Sequence, residues 1–232
     1  MTAVDHGAVL RVGHSAVEPG VPLSELAARL DGAAWDMVEL DVLRADGRLV
    51  VAHDAGDLAL PVRLDFAEAL AALRDAVGPD VRIDVDIKAT GYEAEVAAAI
   101  ADAELGPRVL VSTMETSSLA VLRRIAPELA LGLSVPLARR DYLSHPLGRV
   151  PALAMLTWLR QVLPARVGRA LDAGEADAIM AYWGVVTPRL VEAVRSRDAE
   201  LFVWTVDDHA RLPGLVKLGV SGVITNRPDL FG

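Results

Sequence analysis

The chain has 232 residues, 53% hydrophobic and 24% charged, a globular composition with room for one large domain or two small ones. With 23 Lys and Arg against 32 Asp and Glu the formal charge is −9, so a nucleic-acid partner is not expected: phosphate-backbone binding rests on clustered cations. There is no Cys, which excludes disulfides, thiolate metal sites and a Cys nucleophile.

The N-terminal MTAVDHGAVLRVGHS has no basic stretch followed by an apolar one. No apolar run reaches the roughly 20 residues of a membrane span. A soluble, cytoplasmic protein without stable membrane insertion is therefore expected. In chain order, the first strand falls at 8–13 (AVLRVG), followed by a helical pattern at 23–30. A strand at 36–42 (DMVELDV) precedes a helix at 66–73, and a strand at 81–87 (VRIDVDI) precedes a helix at 92–102. The strand at 108–112 leads to a helix at 117–125, and a strand follows at 129–134. Residues 136–176 are the least legible; within them 152–159 (ALAMLTWL) reads as strand or helix. Strands at 177–181, 200–206 and 220–225 complete the series. Between the first two of these lies a helix at 188–197, with Thr187 and Pro188 as its cap and first residue. Eight short, Val-, Ile- and Leu-rich strands alternating with helices predict an α/β fold, a (β/α)8 TIM barrel over 1–232 as a single domain. An open doubly wound sheet has the same alternation. No GxGxxG follows the first strand and no GxxxxGK[ST] occurs, which weakens its nucleotide-binding versions.

The chemistry collects at strand ends. Glu39 and Asp41 are two apart on one strand and point the same way; Asp84, Asp86 and Lys88 repeat the pattern on the next. Carboxylates aimed together repel unless a cation sits among them. Three of them suit a hard cation such as Mg²⁺ or Ca²⁺, which prefers oxygen ligands. His14 lies just past the first strand and His53 follows VVA at 50–52, and two histidines beside such a site suit an acid and a base. Each feature also has a plain reading. An ExD pair can be a structural ion pair, Asp84 can be the partner of Lys88 or a nearby Arg, and His53-Asp54 can be a turn. His6, His145 and His209 read as solvated, and Trp35, Trp158 and Trp183 as core or rim packing.

The motifs, taken together and in order, resemble the glycerophosphodiester phosphodiesterase family of TIM-barrel phosphodiesterases. VELDV (38–42) is similar to ElDv, DGRLVVAHDAG (46–56) to DG..Vv.HD, and VDIK (85–88) to iEiK. The stretch 109–133 resembles a strand–helix–strand unit of the family, FVWTVDD (202–208) resembles v.vWTVN, and LGVSGVITNRPD (218–229) resembles GVDGiiTDrPd. The resemblance implies a metal-dependent hydrolase that releases glycerol 3-phosphate and an alcohol. It implies His14 and His53 as the catalytic pair and Glu39, Asp41 and Asp86 as ligands of a divalent metal. Lys88 would lie near the substrate phosphate and Trp204 would wall the glycerol pocket. The partner implied is a small-molecule phosphodiester, and oligomeric state is not implied.

Departures from the pattern are equally specific. His14-Ser15-Ala16 stands where the family has His-Arg-Gly, so a phosphate-gripping arginine is missing. PGVP (19–22) replaces Pro-Glu-Asn-Thr, with Glu18 nearby as a partial stand-in. LALPVRL (58–64) replaces an Arg/Thr stretch, Asp86 replaces the usual Glu, and Asp207 the usual Asn. These losses leave room for other readings: a lysophospholipid or other lipid head group, a sphingomyelinase-D-like transfer, or a degenerate barrel that binds without turnover.

Overall fold

The computed structural model describes residues 9–26, 30, 34–136 and 149–231. Strands β1 (Leu10–Gly13), β2 (Met37–Ala45), β4 (Arg82–Ile87), β5 (Val109–Thr113), β6 (Ala130–Val135), β7 (Ala178–Tyr182), β8 (Glu200–Trp204) and β9 (Gly222–Thr225) run parallel. β1 pairs with both β2 and β9, so the sheet closes on itself as an eight-stranded TIM-type barrel and the open-sheet alternative falls. All eight expected strands are present. β8 stops at Trp204, short of the expected end at 206, and β2 runs on to Ala45. That extension pairs with an additional short strand, β3 (Arg48–Val51), antiparallel to it. The two-residue turn between them is Asp46-Gly47, both with positive φ, a hairpin signal the sequence reading passed over.

The described helices are α1 (Phe66–Ala76), α2 (Glu93–Asp102), α3 (Thr116–Ile125), α4 (Arg149–Asp172), α5 (Pro188–Arg195) and α6 (Leu212–Leu218). Asp65 caps α1 through the backbone N–H groups of Ala67 and Glu68, and Thr187 caps α5 through that of Leu190. The ambiguous stretch 152–159 is helix, part of α4. Within the expected helix at 23–30, Leu23–Glu25 form a 3-10 turn and Leu26 and Leu30 are helical, with 27–29 outside the described residues. None of the described helices is long and apolar enough to cross a membrane.

Strand alternation sorts the side chains into two cores. One set, including Val38, Leu40, Val85, Val111, Leu131, Ile179 and Val203, packs outward against the helices. The other fills the barrel: Val12, Met37, Leu110, Ala178, Met180, Phe202 and Ile224. Glycine is required on the inner face. A Cβ at Gly222 would lie 2.6 Å from the Phe202 ring, and one at Gly132 would lie 3.1 Å from the Ser112 Cβ. At the floor, Arg82 of β4 reaches across to Glu200 of β8 in two hydrogen bonds of 2.8 Å and covers the Phe202 ring at 5.6 Å. The inward positions of β2 and β4 thus begin apolar or ion-paired at the floor and turn acidic toward the C-terminal mouth.

Candidate active site

Register places the acids in two tiers. Glu39 is paired with Asp84 and, one step nearer the mouth, Asp41 with Asp86. Glu39, Asp41 and Asp84 are buried, and Asp86 is half-buried. One carboxylate oxygen from each of Glu39, Asp41 and Asp86 lies within 4.8 Å of the others. Lys88, at the end of β4, sets its Nζ 2.7 Å from Asp41 Oδ1 and 2.6 Å from Asp86 Oδ2. The ammonium marks a position where Asp41 and Asp86 together accept a cation. An all-oxygen set this compact fits a hard divalent ion, so Glu39, Asp41 and Asp86 could hold a metal.

The electrostatics follow from crowding. Burial first, then the neighbouring Asp41, raises Glu39 well above the usual carboxylate range. Burial and Asp41 raise Asp86 as well, against the pull of Lys88. For Lys88, burial pulls downward but Asp86, Asp41 and Glu39 win, so it stays fully cationic. Asp84 is pushed up to about 8, chiefly by burial and then by Asp86; a hydrogen bond from Ser112 acts in the opposite direction. The expected ion pair between Asp84 and Lys88 does not form, because Lys88 is taken by the upper tier, and Asp84 Oδ1 is buried without a hydrogen-bond partner among the described residues.

His14 follows β1 and reaches over the trio, its Nε2 3.8 Å from Glu39 Oε2. Its Nδ1 lies 2.9 Å from Asn226 Oδ1. Ser15, at φ 44°, donates its backbone N–H to Glu39 Oε2 at 2.8 Å, and its hydroxyl is 3.5 Å from Asp41 Oδ2. Where the resemblance has an arginine for the substrate, this chain has a residue that braces two of the acids. Glu18 is exposed on the turn that follows. His53 is exposed, and its backbone N–H is anchored on Asp57 Oδ2 at 2.7 Å. It is close enough to Asp86 to favour that group's charged form.

Trp204 ends β8, across the barrel from β2 and β4 in the strand order, with its ring centroid 5.5 Å from that of Tyr182. Trp183 continues this aromatic wall, 5.0 Å from Tyr182 and under the Arg211 guanidinium at 3.5 Å. Trp35 packs against Gly13 at the wall of β1. Trp158, expected to be packed, is 53% exposed on α4, beside the exposed Leu153 and Met155. His209 is exposed beside Asp229, whereas His6 and His145 lie outside the described residues. Asn226 and Tyr182 escaped the sequence reading. The signal for Asn226 was its place in ITNRP, one residue beyond the last strand.

A closed parallel barrel with metal-fitting carboxylates and two histidines at the C-terminal mouth is the layout of a TIM-barrel enzyme of hydrolytic, oxygen-ligand chemistry. The chain belongs to the glycerophosphoryl diester phosphodiesterase family, whose model matches residues 83–230. It is 28% identical to the glycerophosphodiester phosphodiesterase of Caldanaerobacter subterraneus subsp. tengcongensis, over 95% of each chain. Among solved structures, a glycerophosphodiester phosphodiesterase from Parabacteroides distasonis superposes with a TM-score of 0.67 at 14% identity, covering 95% of this chain and 94% of that one. An Oleispira antarctica phosphodiesterase in complex with the product sn-glycerol-3-phosphate superposes at 0.66 and 16% identity, covering 94% and 93%.

Proposed function

We propose that the protein hydrolyses glycerophosphodiesters to glycerol 3-phosphate and an alcohol, acting in the cytoplasm as one catalytic domain on small-molecule substrates. The observation that carries this reading is the convergence of Glu39, Asp41, Asp86 and Lys88 with His14 at the barrel mouth, in a member of this family. The product bound to the Oleispira antarctica neighbour supports the same product class.

When bound, Mg²⁺ or Ca²⁺ on Glu39, Asp41 and Asp86 supplies Lewis-acid polarisation of the phosphoryl oxygens. Lys88 adds a fixed positive charge beside the phosphate. One histidine takes the proton of the glycerol 2-hydroxyl as its oxygen bonds to phosphorus. The bond from phosphorus to the alcohol oxygen breaks, and the other histidine protonates that oxygen. Water then opens the cyclic phosphate through the same pair in reversed roles. Trp204 bounds the glycerol side of the pocket. Ser15 favours a second reading, in which the loss of the arginine reflects a different head group such as that of a lysophospholipid.

The test is release of glycerol 3-phosphate from a panel of glycerophosphodiesters and lysophospholipids, with Mg²⁺, Ca²⁺ or chelator. We expect release that needs metal and falls about 10²–10⁴-fold in His14→Ala or His53→Ala. Turnover restricted to lysophospholipids would select the second reading. Full activity in chelator, or in either histidine variant, would refute the mechanism.

A further inference from the structure

His14 is not held by the metal-binding acids alone. Its backbone N–H donates to the Thr225 carbonyl at 2.9 Å, which seats it on β9. Its Nδ1 meets Asn226 Oδ1, and behind Asn226 stands Asp207. Asp207 Oδ2 accepts from Asn226 Nδ2 at 2.7 Å, while Oδ1 accepts from the Asn226 backbone N–H and the Thr225 hydroxyl, each at 2.9 Å. Thr225 Oγ1 in turn accepts from the Arg227 backbone N–H at 3.0 Å, which directs its own proton toward Asp207. Partial burial opposes ionisation of Asp207, but these donors hold its carboxyl below the usual carboxylate range.

A carboxylate only accepts hydrogen bonds, so it fixes which end of the Asn226 amide faces it. The NH₂ must point to Asp207, and the carbonyl oxygen must point to His14. An amide oxygen also only accepts, so the neutral imidazole must carry its proton on Nδ1 to complete the bond. We infer that Asp207 and Asn226 are positioning residues that fix His14 in its Nδ1–H tautomer, leaving the Nε2 lone pair directed at the substrate site. With the proton already on Nδ1, His14 is the member of the pair equipped to receive one at Nε2, and His53 is left to protonate the leaving oxygen. This assignment rests on the proposed reaction; the tautomer itself does not. The same two positions are where this chain's WTVD and ITNRP differ from WTVN and TDrP, with amide and carboxylate exchanged.

The direct test is nitrogen NMR of metal-loaded protein labelled with ¹⁵N-histidine, recorded above the imidazole titration range, with His14→Gln to assign the signals. We expect His14 with a protonated Nδ1 and a bare Nε2. In Asp207→Asn the facing amide can accept or donate, so the orientation of Asn226 is no longer forced. Both tautomers should appear, and kcat should fall about 10–100-fold with KM little changed. In the double exchange Asp207→Asn with Asn226→Asp, the new carboxylate accepts directly from Nδ1–H. That variant should restore the single tautomer and return kcat to within a few-fold of the parent, which a merely structural role would not do. A wild-type His14 protonated on Nε2 would overturn the inference, as would an Asp207→Asn enzyme unchanged in tautomer and kcat. If the parent protein turned over no glycerophosphodiester, the proposed function would fail, while the NMR result would still decide the tautomer.

Discussion

Asp84 sits in the lower tier beside Glu39, one step below Asp41 and Asp86, and forms no ion pair with Lys88. Its carboxyl is raised to about 8 against an ordinary 3.8, so across that window the folded protein keeps a proton that the unfolded chain has released. The sign is therefore adverse: stability falls as the pH climbs from about 4 to 8, and the loss is complete above 8. Asp84→Asn keeps the shape and removes the ionisation. In chelator, its melting temperature should exceed the parent's by a margin that widens from pH 5 to pH 8. At pH 8 the gain should be at least about 1 kcal/mol, or roughly 2–4 °C for a chain of this size. Equal slopes of melting temperature against pH would show that Asp84 ionises freely. Ser15 is the other informative residue here. Its backbone N–H holds Glu39 as any residue's would, so Ser15→Arg tests whether phosphate grip was lost with the arginine. It should lower KM for glycerophosphodiesters several-fold if the side chain reaches the phosphate, and kinetics on the same substrate panel would show it.

At the scale of elements, the barrel strands were legible because each is a short aliphatic run closed by Gly, Pro, Asp or Ser. The i, i+2 spacing of Glu39 with Asp41 and of Asp84 with Asp86 was enough to aim them inward together. Other elements were hidden for physical reasons. α4 shows no apolar stripe in its sequence and contains Pro164, so neither periodicity nor breakers marked it as one helix. α6 begins Leu-Pro-Gly, which reads as a turn. The contact of Asn226 with His14 lies outside any local pattern, since the two residues are 212 positions apart. The narrowness of the barrel interior gives a prediction at this scale. Gly222 sits in β9 with the buried Phe202 ring against it, and no positive φ is involved, so the cost of a methyl there is steric alone. Gly222→Ala should destabilise the protein by about 1–3 kcal/mol, read by thermal or urea denaturation. A neutral result would mean that Phe202 can swing away.

For the whole molecule, the floor pair Arg82–Glu200 ties the first half of the barrel to the second across 118 residues. Its side chains keep 31% and 17% of their exposure, so solvent weakens the bond and the stabilisation is modest. Arg82→Met should cost about 1–3 kcal/mol by leaving Glu200 without its partner, and adding Glu200→Met should recover part of that loss. Urea denaturation of the four proteins of the cycle measures the coupling, and strict additivity would mean that the pair contributes nothing. The seam where β1 meets β9 has a different consequence. Backbone pairing there brings His14 to Asn226, so one arm of the candidate site comes from each end of the chain. Contacts between such distant parts of a chain are slow to form during folding. Enzymatic activity is thus a reporter of barrel closure. In refolding from urea, catalysis should return in a phase that lags the recovery of helical circular dichroism, because a chain with all its helices but an open seam has His14 parted from Thr225 and Asn226.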